Sequence, residues 1–239
     1  MDEKRWSIYI DVEGFAATYS RDPSKALLAL GGLMGALFHV GSRVFSHSPD
    51  RLFIHQFGDG FVVVSNFPEA NPERPLALCI AVMRHLLARG IATKAAISAG
   101  DFSDVFSCYP KEVQELAEDH HYLPMGEGLM TIIPVMGSAL ISPYKMAGQR
   151  SGAVLLFDPV PFCGVPAAVK FTSTAPIVVD WIHTDLPLAR QICEIAGLTW
   201  IDSVSAANHL RKYVDGASCL PESWVSSTLN SVGLGDAVL

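Results

Sequence analysis

The chain has 239 residues, half of them hydrophobic, and a formal net charge of −7. That length supports one large core, or one domain with a smaller appendage. The acidic balance argues against broad binding to nucleic acid or to an anionic membrane surface.

In chain order, Trp6 to Val12 reads as a strand that ends in Glu13-Gly14-Phe15. Asp22-Pro23-Ser24 is a helix start, since proline is tolerated in a first turn, and the helix is expected from Ser24 to about Phe45. Its apolar run, Ala26 to Val40, is interrupted by Gly31, Gly32 and Gly35 and is short for a membrane span, so a buried amphipathic helix is expected. Ser48-Pro49-Asp50 is a turn. Arg51–Gln56 and Phe61–Ser65 follow as two strands joined by Phe57-Gly58-Asp59-Gly60, because an Asp-Gly pair between apolar runs signals a hairpin. A second helix runs from Asn71-Pro72-Glu73 to Arg89 and stops at Gly90. Thr93–Ala99 is a strand closed by Gly100.

Residues 101–127 are the least regular stretch, with a short helix expected around Lys111–Asp119 and then His120-His121. Leu129–Pro134 is a short strand. Gly137–Gly148 is a helix in which Pro143 must sit near the first turn or kink the axis. Ala153–Phe157 is a strand. Beyond Asp158, the prolines 159, 161 and 166 mark an irregular connection. Ala168–Thr172 and Ile177–Trp181 read as strands, and Leu186–Ala196 and Val204–Val214 as helices. The order is that of an α+β palm, a mostly antiparallel sheet with helices on one face, plus an α-rich C-terminal extension. The boundary is set at 158, with 159–239 packed on or completing the same domain. The five cysteines are odd in number and show no CxxC spacing, so reduced thiols and a cytoplasmic protein are expected.

Two aspartates stand out. Asp11 ends the first strand and Asp59 sits in the hairpin. A carboxylate among buried strands needs a partner or a metal, and two of them can form one oxygen-rich cation site. The bland alternatives are an ordinary Asp-Gly turn for Asp59 and a solvated turn residue for Glu13. His120-His121 beside Glu118 and Asp119 reads as an exposed acidic helix end rather than a zinc site.

On these residues the chain resembles the class III nucleotidyl cyclase family. Asp11-Val12-Glu13-Gly14-Phe15 and Gly58-Asp59 match its two metal-binding segments, and Lys94-Ala95-Ala96-Ile97-Ser98-Ala99-Gly100 resembles a strand that follows. Gly137-Ser138-Ala139-Leu140, with Tyr144 further along, resembles a helix of the small bacterial cyclases, which include the pyrimidine cyclases of Pycsar anti-phage systems. The resemblance implies a nucleoside triphosphate substrate and two divalent cations, Mn2+ or Mg2+, on Asp11, Asp59 and the Val12 carbonyl. The turn amides of Glu13, Gly14 and Phe15 are placed to hold phosphates, and the resemblance implies a homodimer with composite sites in which His55 and Lys145 serve metals bound to the other chain. The chain departs from the purine cyclases at four places: His55 and Pro134 replace the base-reading Lys and Asp, and Ile141 and Lys145 replace the transition-state Asn and Arg. The expectation is therefore a pyrimidine cyclase, UTP over CTP. The alternative is a cyclase-like domain that binds nucleotide or a partner without turnover. A diguanylate-cyclase-type palm is disfavoured, because Phe57-Gly58-Asp59-Gly60-Phe61 is not that family's hairpin.

Overall fold

The computed structural model describes residues 4–47, 50–117, 122–174, 177–216 and 220–235. Strand β1 (Arg5–Val12) is followed by helices α1 (Phe15–Arg21) and α2 (Pro23–His39). Strands β2 (Leu52–Phe57) and β3 (Gly60–Ser65) form the hairpin, then come α3 (Glu73–Ala88) and β4 (Thr93–Gly100). The middle of the chain holds β5 (Ser103–Asp104), α4 (Lys111–Leu116), β6 (Tyr122–Met125), β7 (Gly128–Thr131), β8 (Val135–Met136) and α5 (Ser138–Ala147). Strands β9 (Leu155–Phe157), β10 (Phe171–Thr174) and β11 (Ile177–Val179) precede α6 (Pro187–Ala196), α7 (Ser203–Gly216) and α8 (Glu222–Ser231).

Seven strands make one sheet in the order β10-β11-β9-β4-β1-β3-β2. Every pairing is antiparallel except β4 with β9, so the sheet is mostly antiparallel as the pattern predicts. β1 is an inner strand, bonded to β3 on one side and β4 on the other. Its alternation sends Trp6, Ile8, Ile10 and Val12 into the main core with α2, α3 and α6. Ser7, Tyr9 and Asp11 fall on the opposite face, where α5 packs against β4, β1 and β3. The helices are thus mainly on one face, and α5 packs on the second.

The sheet and main core continue past residue 158. β11 pairs with β9, and Val179, Trp181, Ile182 and Ile192 share the core with Ile8 and Leu78. Arg84 of α3 ties this segment down. Its fully buried guanidinium donates to the carbonyls of Trp181, Ile182, Thr184 and Ile201 at 2.8–3.2 Å and stacks on Trp200. Burial lowers its pKa, and the carbonyl oxygens supply the polar partners that a buried cation requires.

Several local expectations shift. The stretch after Gly14 is a helix, α1, rather than a plain turn. None of its residues is buried, so no hydrophobic period marks it. α2 begins at Pro23, capped by the Asp22 side chain on the Lys25 amide, and its last turn, Val40–Val44, is π-helical. It is apolar on both faces: Leu33, Ala36 and Leu37 are buried, while Leu27, Leu28, Met34 and Phe38 are exposed, so it is not the buried amphipathic helix expected. By length and composition Pro23–Val44 also suffices to cross a membrane. Pro143 sits inside α5. α8 was missed because Glu222-Ser-Trp-Val-Ser-Ser-Thr-Leu-Asn-Ser is rich in weak helix formers. Cys79 and Cys193 are buried and Cys108 and Cys163 exposed, all free. His120-His121, Glu118, Asp119 and the turn residues Ser48-Pro49 lie outside the described residues.

Candidate functional site

Register brings the two aspartates to one end of the sheet. Asp11 stands opposite Gly60 on β3 and opposite Lys94 on β4. Asp59 precedes Gly60 in the two-residue turn Gly58-Asp59, so its carboxylate is one residue from the Asp11 pair. The charge of Asp59 acts on both Asp11 and Tyr9.

Tyr9 shares Asp11's face, two residues earlier on the strand. Its ring lies over Gly60: a Cβ there would stand 2.5 Å from the Tyr9 hydroxyl and 2.7 Å from Cζ, far inside contact distance. Glycine at position 60 therefore lets the buried ring lie across β3, on the same face of β1 as the Asp11 carboxylate. Tyr144 of α5 meets Tyr9 edge to face at 5.2 Å. Burial, then the charges of Asp11 and Asp59, push the Tyr9 hydroxyl well above the usual phenol range, so it stays a donor.

Asp11 is held in an unfavourable setting. Its Oδ1 is buried with no hydrogen-bond partner among the described residues. Burial, followed by the charge of Glu13, raises its pKa to about 7; Asp59 adds to the rise, while Lys94 and the Tyr9 hydroxyl oppose it. A buried carboxylate oxygen with no donor, close to a second carboxylate, suits a hard divalent cation, which would supply the missing positive partner. Asp11 and Asp59 would hold such an ion. Among the described residues no group of three or more His, Cys, Asp and Glu side chains comes together. Val12, whose carbonyl was offered as a further ligand, pairs with Thr93 and puts its side chain in the main core.

The turn after β1 requires two corrections. Glu13 is not a solvated turn residue: its side chain is only 8% exposed, paired with Lys94 Nζ at 2.7 Å. The Trp224 indole N–H donates to its other oxygen. Nor is the Glu13 amide free for a phosphate, because it donates to the Ala92 carbonyl at 3.0 Å. Gly14 adopts a left-handed conformation and caps α1, and Phe15 opens that helix. The Phe15 N–H is thus one of the first-turn donors that a helix leaves without an intrahelical acceptor.

His55 lies on edge strand β2 opposite Val62, which in turn opposes Tyr9, so it shares the Asp11 face two rows of the sheet away. Lys145 is exposed in the last turn of α5 and makes no ion pair among the described residues. Its neighbour Tyr144 meets Tyr9 edge to face. Ile141 is half exposed, and the Pro134 carbonyl accepts from the Val105 amide. Tyr9, Lys94 and Trp224 were not singled out from the sequence as site residues. Period-two alternation from Asp11 could have found Tyr9. Lys94 stood in a quoted strand as its basic residue. Trp224 meets Glu13 across 211 positions, and no local pattern announces that contact.

No protein-family model matches the chain, and no curated protein matches it. Among solved structures, the guanylyl cyclase Cya2 matches at 13% identity and a TM-score of 0.42, over 74% of this chain and 89% of that one. A bacterial light-regulated adenylyl cyclase matches at 10% identity and 0.43, over 88% of this chain and 56% of the other. A class III adenylyl cyclase-like ATP-binding protein from Pseudomonas aeruginosa matches at 14% identity and 0.46, over 80% of this chain. The chain spans 40% of that last protein. None of these values carries a substrate or a catalytic residue over to this chain.

Proposed function

We propose that the chain is a nucleotidyl cyclase. It would convert a pyrimidine nucleoside triphosphate, UTP over CTP, to the 3′,5′-cyclic nucleotide and pyrophosphate. The observation that carries the reading is the buried, partnerless Oδ1 of Asp11 beside Asp59 at the end of a central strand. In the reaction the ribose 3′-oxygen attacks the α-phosphorus, the bond to the bridging oxygen breaks, and pyrophosphate leaves. Two divalent cations, when bound, would ease loss of the hydroxyl proton and neutralise charge on the leaving group.

The chain's own groups divide the work. Asp11 and Asp59 hold the cations, and the buried Tyr9 packs beside Asp11 on the same face of β1. The amides of Gly14 and Phe15 face the phosphates, as backbone donors in turns do; Glu13 is withdrawn from that role by Ala92. His55 offers a ring nitrogen to a base edge. Lys145, being exposed, acts across a homodimer interface on the partner's phosphates. The loss of the purine-reading pair at His55 and Pro134 supports a pyrimidine. A role in anti-phage signalling follows the same resemblance.

The test is purified protein with Mn2+ and each of the four nucleoside triphosphates. A cyclic pyrimidine nucleotide, abolished by Asp59→Ala, is the expected result. A second reading, nucleotide binding without turnover, is favoured by Ile141 and Lys145 in place of Asn and Arg. It predicts a thermal shift with Mn2+ and nucleotide but no pyrophosphate, and steady pyrophosphate release would exclude it.

A further inference from the structure

Helix α8 reaches the turn after Asp11 from the far end of the chain. It is seated on the loop that leads into β9 by a set of polar contacts. Ser227 Oγ donates to the Ser151 carbonyl at 2.6 Å, and the Ala153 amide donates to Thr228 Oγ1 at 3.0 Å. Gly152 makes the close approach possible, since a Cβ there would stand 2.6 Å from Thr228 Oγ1. The same loop borders β4: the Val154 carbonyl accepts from the Ala95 amide at 2.9 Å, next to Lys94. Thr172 Oγ1 donates to the Ser231 carbonyl at the helix's other end. The seat is therefore part of the sheet that carries Asp11.

From this seat the buried Trp224 points its indole N–H at Glu13, with Tyr213 of α7 packed against the ring at 6.0 Å. Glu13 is held three ways: by the indole, by Lys94 Nζ at 2.7 Å, and by its own amide on Ala92. Lys94 is only 13% exposed, so this is a mostly buried ion pair. Such pairs are seldom kept for stability alone, because taking both charges out of water offsets most of their attraction. Here the pair links the turn after β1 to β4, and Lys94 stands directly opposite Asp11. Its ammonium is drawn to Glu13, two residues beyond Asp11.

We propose that Glu13 and Trp224 are positioning residues for the cation site: through the indole and the Glu13–Lys94 pair, α8 fixes the turn that joins Asp11 to the phosphate-facing amides. This rests on the reading of Asp11 and Asp59 as cation ligands. The C-terminal helix then works as a brace for the site. Trp224 touches neither substrate nor metal, and acts only through Glu13. Removing it frees the turn and lets Lys94 swing toward Asp11, where it competes with the cation.

The experiment compares the full chain with Trp224→Phe, Glu13→Ala and Glu13→Gln, by amide hydrogen exchange and by Mn2+ titration. Trp224→Phe keeps an aromatic ring and removes the N–H donor. Exchange at the Glu13 amide, which donates to the Ala92 carbonyl, is expected to rise about ten-fold while β3 and α3 stay protected. Mn2+ binding is expected to weaken roughly ten-fold, in the range seen when the groups that orient metal ligands are removed. Glu13→Ala should behave alike. Glu13→Gln, which keeps an oxygen for the indole, should recover most of the turn's protection. Unchanged exchange in Trp224→Phe, or Glu13→Gln no better protected than Glu13→Ala, would overturn the proposal. Should Trp224→Phe lose protection throughout the sheet, the two Glu13 variants decide. Should the wild-type chain bind no Mn2+, the cation-site reading fails, and hydrogen exchange still decides whether α8 braces the turn.

Discussion

One face of β1 carries Trp6, Ile8, Ile10 and Val12 into a continuous apolar core beneath α2 and α3. The other carries Tyr9 and Asp11 toward Gly60, Lys94 and the charge of Asp59. Residues one apart on the same strand thus answer to different physics. The first face gains from every buried methylene, about 25 cal/mol per Å2 of apolar surface. The second buries a carboxylate whose oxygen has no donor, which costs stability unless a cation arrives. The lesson is that the sheet supports its second face at the expense of its first: α3 and the strands supply the stability against which Asp11 is held.

That contrast can be broken most severely at Arg84, a fully buried charge on the apolar side. Arg84→Ala orphans four carbonyls at once and should cost about 3–5 kcal/mol in urea denaturation. A loss below about 1 kcal/mol would show that water replaces the guanidinium, and that the C-terminal segment is not tied down as described. Ile8→Ala, a plain cavity in the same core, should cost about 2–4 kcal/mol and leave Mn2+ affinity unchanged at temperatures where the protein stays folded.

Gly60→Ala probes the seam between the faces. The new Cβ must displace Tyr9, so a loss of about 1–3 kcal/mol is expected, together with weaker Mn2+ binding. Stability loss with unchanged Mn2+ affinity would detach Tyr9 from the site.

The smallest expected effect has the opposite sign. In the folded chain the Asp11 pKa is raised from 3.8 to about 7. Between those values the folded state holds the proton that the unfolded state has released. The contribution of Asp11 is therefore fully present below about pH 4 and is lost as pH rises toward 7. Asp11→Asn should flatten that segment of the stability profile and, at pH 8 without metal, raise stability by about 1 kcal/mol. Proton competition also makes Mn2+ affinity climb with pH up to about 7 and level off above it. A wild-type affinity independent of pH from 5 to 8 would place the cation elsewhere.

How far the sequence revealed each face follows the same divide. The apolar side was legible, because alternation in β1, β3 and β4 and the long run of α3 report burial directly. The two aspartates were legible too, as carboxylates in strands that otherwise bury apolar side chains. What surrounds them was not. Glu13 read as a turn residue because its partners are long-range: Lys94 lies on a neighbouring strand, and Trp224 on a helix that its serines and Thr228 hide. Gly60 read as hairpin chemistry. The positive φ that the turn needs falls on Gly58, and Gly60 is small because Tyr9 lies on it. Lys145 matched a motif position, yet in one protomer it faces solvent, since α5 turns Tyr144 toward the sheet.

The most direct test of the account is a Mn2+ titration at pH 8, followed by the loss of the free-ion electron paramagnetic resonance signal, on the wild-type chain and on Asp11→Asn. The account predicts saturable binding by the wild type, and binding at least ten-fold weaker in the equally folded variant. Equal binding by both proteins, or none by the wild type in the presence of UTP, would contradict it.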